Sequence, residues 1–189
     1  MMQKNTFKIY YFVNEFKLSD LSHLGKNINI IYRNYENIDH LENILKLKNY
    51  CKDRKHKFYL SNNIKLCLKL GLNGIYIPSF NKKINYVQNY SLPKNFEIIG
   101  SAHNISEINL KLNQKCNEIF LSPVFKVNKS KKFLGISRFN FITLNHKVSF
   151  IALGGINKKN YRMIKLLKLN GFASISWAKK NGLRKLRPF

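Results

Sequence analysis

Acidic residues are the scarcest feature of this sequence. Its 189 residues hold nine Asp and Glu against 34 Lys and Arg, a formal charge of +25, and no carboxylate follows Glu118. A Mg²⁺ centre normally draws on one or two carboxylates plus substrate phosphates, so a conventional carboxylate-held metal has few ligands here. Cysteine is equally thin. Cys51, Cys67 and Cys116 lie far apart, without a CxxC pair or a neighbouring histidine. That excludes a zinc site or a disulfide framework and fits a reducing compartment. Long apolar runs are missing too: none reaches the roughly eighteen residues that a membrane span requires. The N-terminal "MMQKNTFKIYYFVNEF" is followed by no small-residue cleavage site. The expectation is a cytoplasmic protein with no membrane partner.

What is abundant is lysine, which invites a nucleic-acid reading through counterion release. The lysines are, however, scattered through nearly every segment rather than gathered into one arm. They accompany heavy use of Asn and Ile, as A/T-rich coding would produce. No aromatic RNA-binding pattern or recognition helix is present. Nucleic acid is therefore not the expected partner, and a phosphorylated small molecule suits the charge as well.

Short apolar runs alternate with longer amphipathic ones. The runs predict strands at Lys8–Val13, Ile28–Tyr32, Phe58–Leu60, Gly74–Ile77, Phe96–Gly100, Glu118–Leu121, Val148–Leu153 and Phe172–Ile175. Helices are predicted near Leu18–Leu24 and over His40–Lys52, Ile64–Leu70, Lys82–Tyr90, Ser106–Leu112, Ser137–Asn145 and Lys158–Leu169. Gly71 and Gly171, each just past a helix, fit glycine C-caps. The strands are continuously apolar rather than alternating, as parallel strands covered on both faces are. Eight such strands with intervening helices predict a compact (β/α)8 TIM barrel, residues 1–189 forming a single domain. The alternative, an open doubly wound sheet, lacks a GxGxxG after its first strand.

Active sites of such barrels lie at the C-terminal ends of the strands. The carboxylates there are Glu15 and Glu36. "IALGGINKKN" places Gly154 and Gly155 after the seventh strand, and "ASIS" at the end of the eighth supplies a small residue and a hydroxyl, Ser174 and Ser176. Loops after strands seven and eight form the usual phosphate cradle, and glycine lets the backbone approach an anion closely. A tight turn alone would also explain the glycine pair. The lysines of Lys126–Lys132 could close on an anionic substrate or could simply be solvated. "IIGSAHN" carries the fifth strand into His103, the one histidine expected at this face, where an imidazole suits acid/base work.

"IIGSAHNISEI", "EIFLSPVFKVNKSKKFLG", "FIALGGINKKN" and "GFASIS" resemble the successive strand-end motifs of the thiamine phosphate synthase/TenI family. Their order and spacing match over about 75–176, with a weaker match through "IIYRN" and "FYLSNNIKLCLKLGLNGIYIPS". The resemblance implies a (β/α)8 barrel with one of two activities. Synthases couple a pyrimidine pyrophosphate to a thiazole phosphate with Mg²⁺. TenI-type members isomerise a carboxythiazole phosphate with a histidine and no metal.

Compared with the synthase pattern, Asn62 stands at the first metal-binding aspartate and Asn81 at the second. Arg33 is kept, while Ile31 and Tyr35 replace a Gln and a Lys. Ser79, in "YIPS", matches the TenI-type Leu-Pro-Ser. The resemblance therefore implies a metal-free thiazole tautomerase without cofactor, with His103 as the proton shuttle. Arg33, Asn62, Ser79 and Lys131 would bind substrate, and Gly154, Gly155, Ile175 and Ser176 its phosphate. A divergent synthase, with Lys131 and Arg33 holding pyrophosphate and Mg²⁺ as cofactor, is the alternative. A barrel that only binds a ligand is the third reading. The expected partner is a thiazole phosphate, and the sequence leaves a homo-oligomer open.

Overall fold

Apolar β-branched and aromatic runs of four to six residues, each ended by polar or Gly/Pro punctuation, form the eight strands of a closed parallel barrel in the computed structural model. The structure describes residues 7–25, 28–35, 41–128, 130 and 132–174. The strands are β1 (Lys8–Val13), β2 (Ile28–Tyr32), β3 (Phe58–Ser61), β4 (Gly74–Ile77), β5 (Glu97–Ala102), β6 (Glu118–Leu121), β7 (Ser149–Leu153) and β8 (Gly171–Ser174). Each pairs in parallel with its sequence neighbours, and β8 closes on β1 through Ile9 opposite Phe172. The helices between them are α1 (Leu18–Leu21), α2 (Leu41–Arg54), α3 (Ile64–Lys69), α4 (Ile105–Asn113) and α5 (Gly135–Thr143). The expected (β/α)8 barrel is the observed one. No helix among the described residues is long and apolar enough to cross a membrane.

Successive strand residues face opposite sides, so every second residue enters the lumen. Tyr10, Phe12, Ile31, Tyr59, Tyr76, Ile99, Phe120 and Ile151 fill it as one buried cluster. The aromatic rings meet edge-on, Tyr10 against Phe120 at 4.9 Å and Phe12 against Tyr76 at 5.3 Å, the arrangement favoured by ring quadrupoles. The other strand face packs under the helices in a second, larger core. At the N-terminal end, Glu118 accepts from Lys8 and the Tyr10 hydroxyl, and Glu97 from Lys57 and the Tyr59 hydroxyl. Two of the nine acids thus close the bottom of the lumen rather than its mouth.

Three local expectations differ from the structure. Lys82–Tyr90 forms turns instead of a helix. The Lys83 carbonyl, which a helix would pair four residues onward, accepts from Gln114 Nε2 at 2.9 Å. Lys158–Leu169 shrinks to a 3₁₀ segment, Tyr161–Leu166. There Asn140 of α5 donates to the Leu166 carbonyl at 2.8 Å and accepts from the Lys168 amide at 2.7 Å, drawing both out of helical pairing. Gly171 opens β8 rather than capping a helix, whereas Gly71 does cap, with φ of 61°.

Candidate active site

Continuing the in-facing alternation brings Ser61, the last residue of β3, and Arg33, His103 and Ser122, each one step beyond its strand, to the mouth. These residues and their neighbours are linked from strand to strand around the rim. The Tyr35 hydroxyl after β2 meets the Ser61 Oγ of β3 at 2.7 Å. Asn81 Nδ2, after β4, donates to Asn62 Oδ1 at 2.7 Å. Ser79 Oγ meets His103 Nε2 at 3.2 Å, and His103 Nδ1 lies 2.8 Å from the Ser122 carbonyl after β6. Phe125 N donates to the Gly154 carbonyl of the β7 turn at 3.1 Å.

His103 is exposed and held from three sides. A carbonyl only accepts, so its bond to Ser122 puts a proton on Nδ1; in the neutral ring Nε2 then accepts from Ser79. Its backbone N–H donates to Glu107 Oε2 at 2.8 Å. Asn104 caps α4, its Oδ1 accepting from the Glu107 amide at 2.9 Å and its Nδ2 donating back to Glu107 Oε1 at 3.2 Å. The helix start therefore fixes the imidazole's entry into the mouth. The spacing Asn104-x-x-Glu107 was a legible signal of that support.

Arg33 lies over the lumen, its guanidinium carbon 4.8 Å from the Phe12 ring centroid. Burial pushes the Tyr76 hydroxyl up to about 12, against the opposing pull of Ser101 and of Arg33. The cation therefore sits on an apolar floor beside a hydroxyl that stays protonated. Tyr35 and Phe80, both exposed, meet edge-to-face at 5.2 Å on the rim. Next to them a cleft of about 390 Å³ opens between the ends of β2 and β3, lined by Tyr35, Ser61, Asn62 and Leu66.

The residues at the two aspartate positions do not fit Mg²⁺. Asn62 and Asn81 are neutral, and Asn81 turns its amide nitrogen toward Asn62, so only one oxygen of the pair faces the other residue. Glu15 pairs with Lys17 at 2.6 Å, and Glu107 is committed to the α4 cap. No group of three His, Cys, Asp or Glu able to hold a metal occurs among the described residues.

Gly154 and Gly155 make the β7 turn with φ of 91° and 72°. A Cβ on Gly154 would stand 2.8 Å from Pro123, and one on Gly155 2.6 Å from the Phe125 carbonyl carbon. Glycine is needed there for the turn itself and for its packing on the loop after β6. Asn160 and Asn157 donate to the Gly155 carbonyl at 2.7 and 3.1 Å. Ile175, Ser176, Lys131 and Glu36 lie outside the described residues. Of the predicted site, the structure brings Asn62, Ser79 and His103 onto one linked rim, with Arg33 over the lumen beside it. Glu107 is support that the strand-end reading did not assign, while Asn81 and Ser122, both expected at strand ends, act as partners of Asn62 and His103.

Residues 24–178 match the thiamine monophosphate synthase family. The chain is 31% identical over 144 residues to a thiamine-phosphate synthase of Prochlorococcus marinus strain AS9601, and 29% over 141 residues to that of the subspecies pastoris strain. Each alignment covers 73% of this chain and 39% of the relative, so the chain spans about two fifths of the length of the curated relatives it matches. Among solved structures, a thiamine phosphate pyrophosphorylase from Pyrococcus furiosus superposes with a TM-score of 0.75. That pair covers 96% of this chain and 92% of the other at 19% identity, a likeness of fold.

Proposed function

Because the chain belongs to the thiamine monophosphate synthase family, we propose that it forms thiamine phosphate, coupling a pyrimidine diphosphate to a thiazole phosphate as diphosphate leaves. The observation that carries this reading is the match over 24–178 together with synthase relatives at 31% and 29% identity. The relatives named above are synthases, which favours coupling over the tautomerisation that the missing aspartates suggested.

In this reading the β7 turn at Gly154 and Gly155, with Ile175 and Ser176 beyond it, receives the thiazole phosphate. Arg33, its guanidinium held over the Phe12 ring at the half-open mouth, is the cation that receives the leaving diphosphate. Lys131 is the second cation for that group. The exposed edges of Tyr35 and Phe80 offer a planar heterocycle an aromatic wall. His103 Nε2 and Ser79 present a polar pair to the ring joining it. No step runs through a metal, since Asn62 and Asn81 supply no carboxylate.

One observation favours a second reading. The Asn62–Asn81 bond replaces charge with a neutral pair at the place where a coupling enzyme of this family would hold Mg²⁺. A metal-free proton transfer on a carboxythiazole phosphate, with His103 Nε2 taking and returning the proton, needs nothing that the pair lacks.

The purified chain, given pyrimidine diphosphate and thiazole phosphate with and without Mg²⁺, should release thiamine phosphate and diphosphate, read by mass spectrometry. Metal-free conversion of the carboxythiazole phosphate, with no coupled product, would establish the second reading instead.

A further inference from the structure

The buried face of α4 and its C-terminal turn contains Ile108, Lys111 and Gln114, at spacings of three, each fully buried. A lysine without solvent exposure is unusual and needs partners. Its stem crosses β5 at Gly100, where a Cβ would stand 2.8 Å from Lys111 Cδ and equally close to Cys116 Sγ. Glycine at that strand position opens the channel through which the lysine reaches the loop after β4.

There the ammonium donates to the Pro78 carbonyl at 2.7 Å, the Asn81 carbonyl at 3.0 Å and Gln114 Oε1 at 2.9 Å. Gln114 Nε2 in turn donates to the carbonyls of Asn81 at 3.0 Å and Lys83 at 2.9 Å. Three N–H donors meet three acceptors, and Lys111 makes no ion pair among the described residues. The segment so held carries two rim residues. Ser79 meets His103, and Asn81 meets Asn62.

We propose that Lys111 is a positioning residue whose buried ammonium, with Gln114, sets the path of residues 78–83 and so places Ser79 against His103 and Asn81 against Asn62. The inference rests on the rim being the active site. A lysine buried for packing alone would not need two of its three donors matched to this one segment and the third to Gln114, which binds the same segment.

The arrangement can be perturbed without a mutation. Burial lowers the Lys111 ammonium to about 8, with Cys116 and Glu107 as the charged or titratable groups facing it. The Cys116 thiol is itself pushed up to about 12 by burial and does not titrate in that range. The segment contributes backbone carbonyls, and β5 contributes Gly100. A neutral amine has two N–H donors, so raising the pH through 8 withdraws one of the three bonds.

The test is amide and imidazole NMR on the labelled chain and on Lys111→Met. The Met variant keeps the stem. It also leaves the Pro78 carbonyl bonded to the Asn81 amide at 3.1 Å and the Asn81 carbonyl bonded to Gln114, so neither is orphaned. In the unaltered chain, the Ser79, Phe80, Asn81 and Lys83 amides and the His103 ring should share a titration step with a midpoint near 8. In Lys111→Met that step should vanish, and the Asn81 and Lys83 amides should exchange about tenfold faster. Should Lys111→Met fail to fold, the milder Lys111→Gln decides: unmoved amides from Ser79 to Lys83 in that variant overturn the proposal. Unchanged exchange in a folded variant overturns it too. Activity is a separate arm: kcat of the variant should fall about tenfold or more, with KM nearly kept, and the loss should not add to that of Ser79→Ala. Should the chain turn over neither substrate set, the functional reading fails while the NMR still decides on Lys111.

Discussion

Asn81 donates its side-chain amide to the Asn62 oxygen across 2.7 Å, joining the ends of β3 and β4 where two carboxylates would repel one another. Asn81 Oδ1 accepts in turn from the Lys83 amide at 3.0 Å, and Asn62 holds the left-handed conformation at φ of 54°, which Asn and Asp both tolerate.

It follows that carboxylates can be placed there without changing the backbone. The double variant Asn62→Asp/Asn81→Asp should lose stability in the absence of metal, because the two charges meet at hydrogen-bond distance. Millimolar Mg²⁺ should raise its melting temperature through linkage, while the unaltered chain stays unmoved. Calorimetric melts of both proteins with and without Mg²⁺ check this. An equal rise in the unaltered chain would mean that the asparagines already hold the ion.

His103 should be separable from the fold. It is exposed and meets its neighbours through its ring and backbone amide, so His103→Asn should leave the melting transition within about 1 kcal/mol. Turnover should fall by about a hundredfold or more if the imidazole moves a proton, and by much less if it only contacts substrate. Ser79→Ala removes one neutral hydrogen bond, worth roughly 1 kcal/mol, and should cost less than the histidine change. Single-turnover rates for the two variants decide between the roles.

The parts legible in the sequence are those where local pattern and tertiary demand agree. Runs such as "KIYYFV" and "NIIY" announce buried parallel strands because both faces of each are covered, and the mouth residues follow from their spacing. Lys82–Tyr90 and Lys158–Leu169 depart from their helical pattern where distant side chains compete for backbone groups, Gln114 for the Lys83 carbonyl and Asn140 for the Leu166 carbonyl and the Lys168 amide. Lys111 is hardest to see. On the helix of "ISEINLKLN" it occupies the position three after Ile108, on the buried stripe, yet a lysine there ordinarily signals solvent. Only the channel over Gly100 turns it inward.

The bottom of the barrel should set the acid limit of stability. Burial acts to raise the Glu97 carboxyl, but bonds from Lys57 and Tyr59 and the nearby Lys8 outweigh it, leaving Glu97 below its ordinary value of 4.5. A carboxylate depressed in the folded state contributes stability above its unfolded value and loses it as the pH falls through the folded one. Glu97→Gln should therefore cost about 1 kcal/mol near neutrality, a modest figure because Lys57 is half-exposed, and should flatten the fall in stability below pH 4.5. Urea unfolding across that range checks both parts.

Gly71 and Gly155 separate the two costs of replacing glycine in this fold. Both hold positive φ, 61° and 72°, so alanine at either is strained by about 1 to 2 kcal/mol. A Cβ on Gly71 meets nothing within 4 Å, whereas on Gly155 it stands 2.6 Å from the Phe125 carbonyl carbon, which belongs to the backbone and cannot swing aside. Gly155→Ala should thus be the more destabilising by a further 1 to 3 kcal/mol, roughly the cost of overpacking. It must also push the loop after β6 away from the β7 turn. If that turn receives the substrate phosphate, Gly155→Ala weakens binding of thiazole phosphate while Gly71→Ala, on the far side of α3, leaves it unchanged. Titration calorimetry on the two folded variants measures the difference. Equal affinities would remove the phosphate from the β7 turn and leave the glycine pair with its structural role alone.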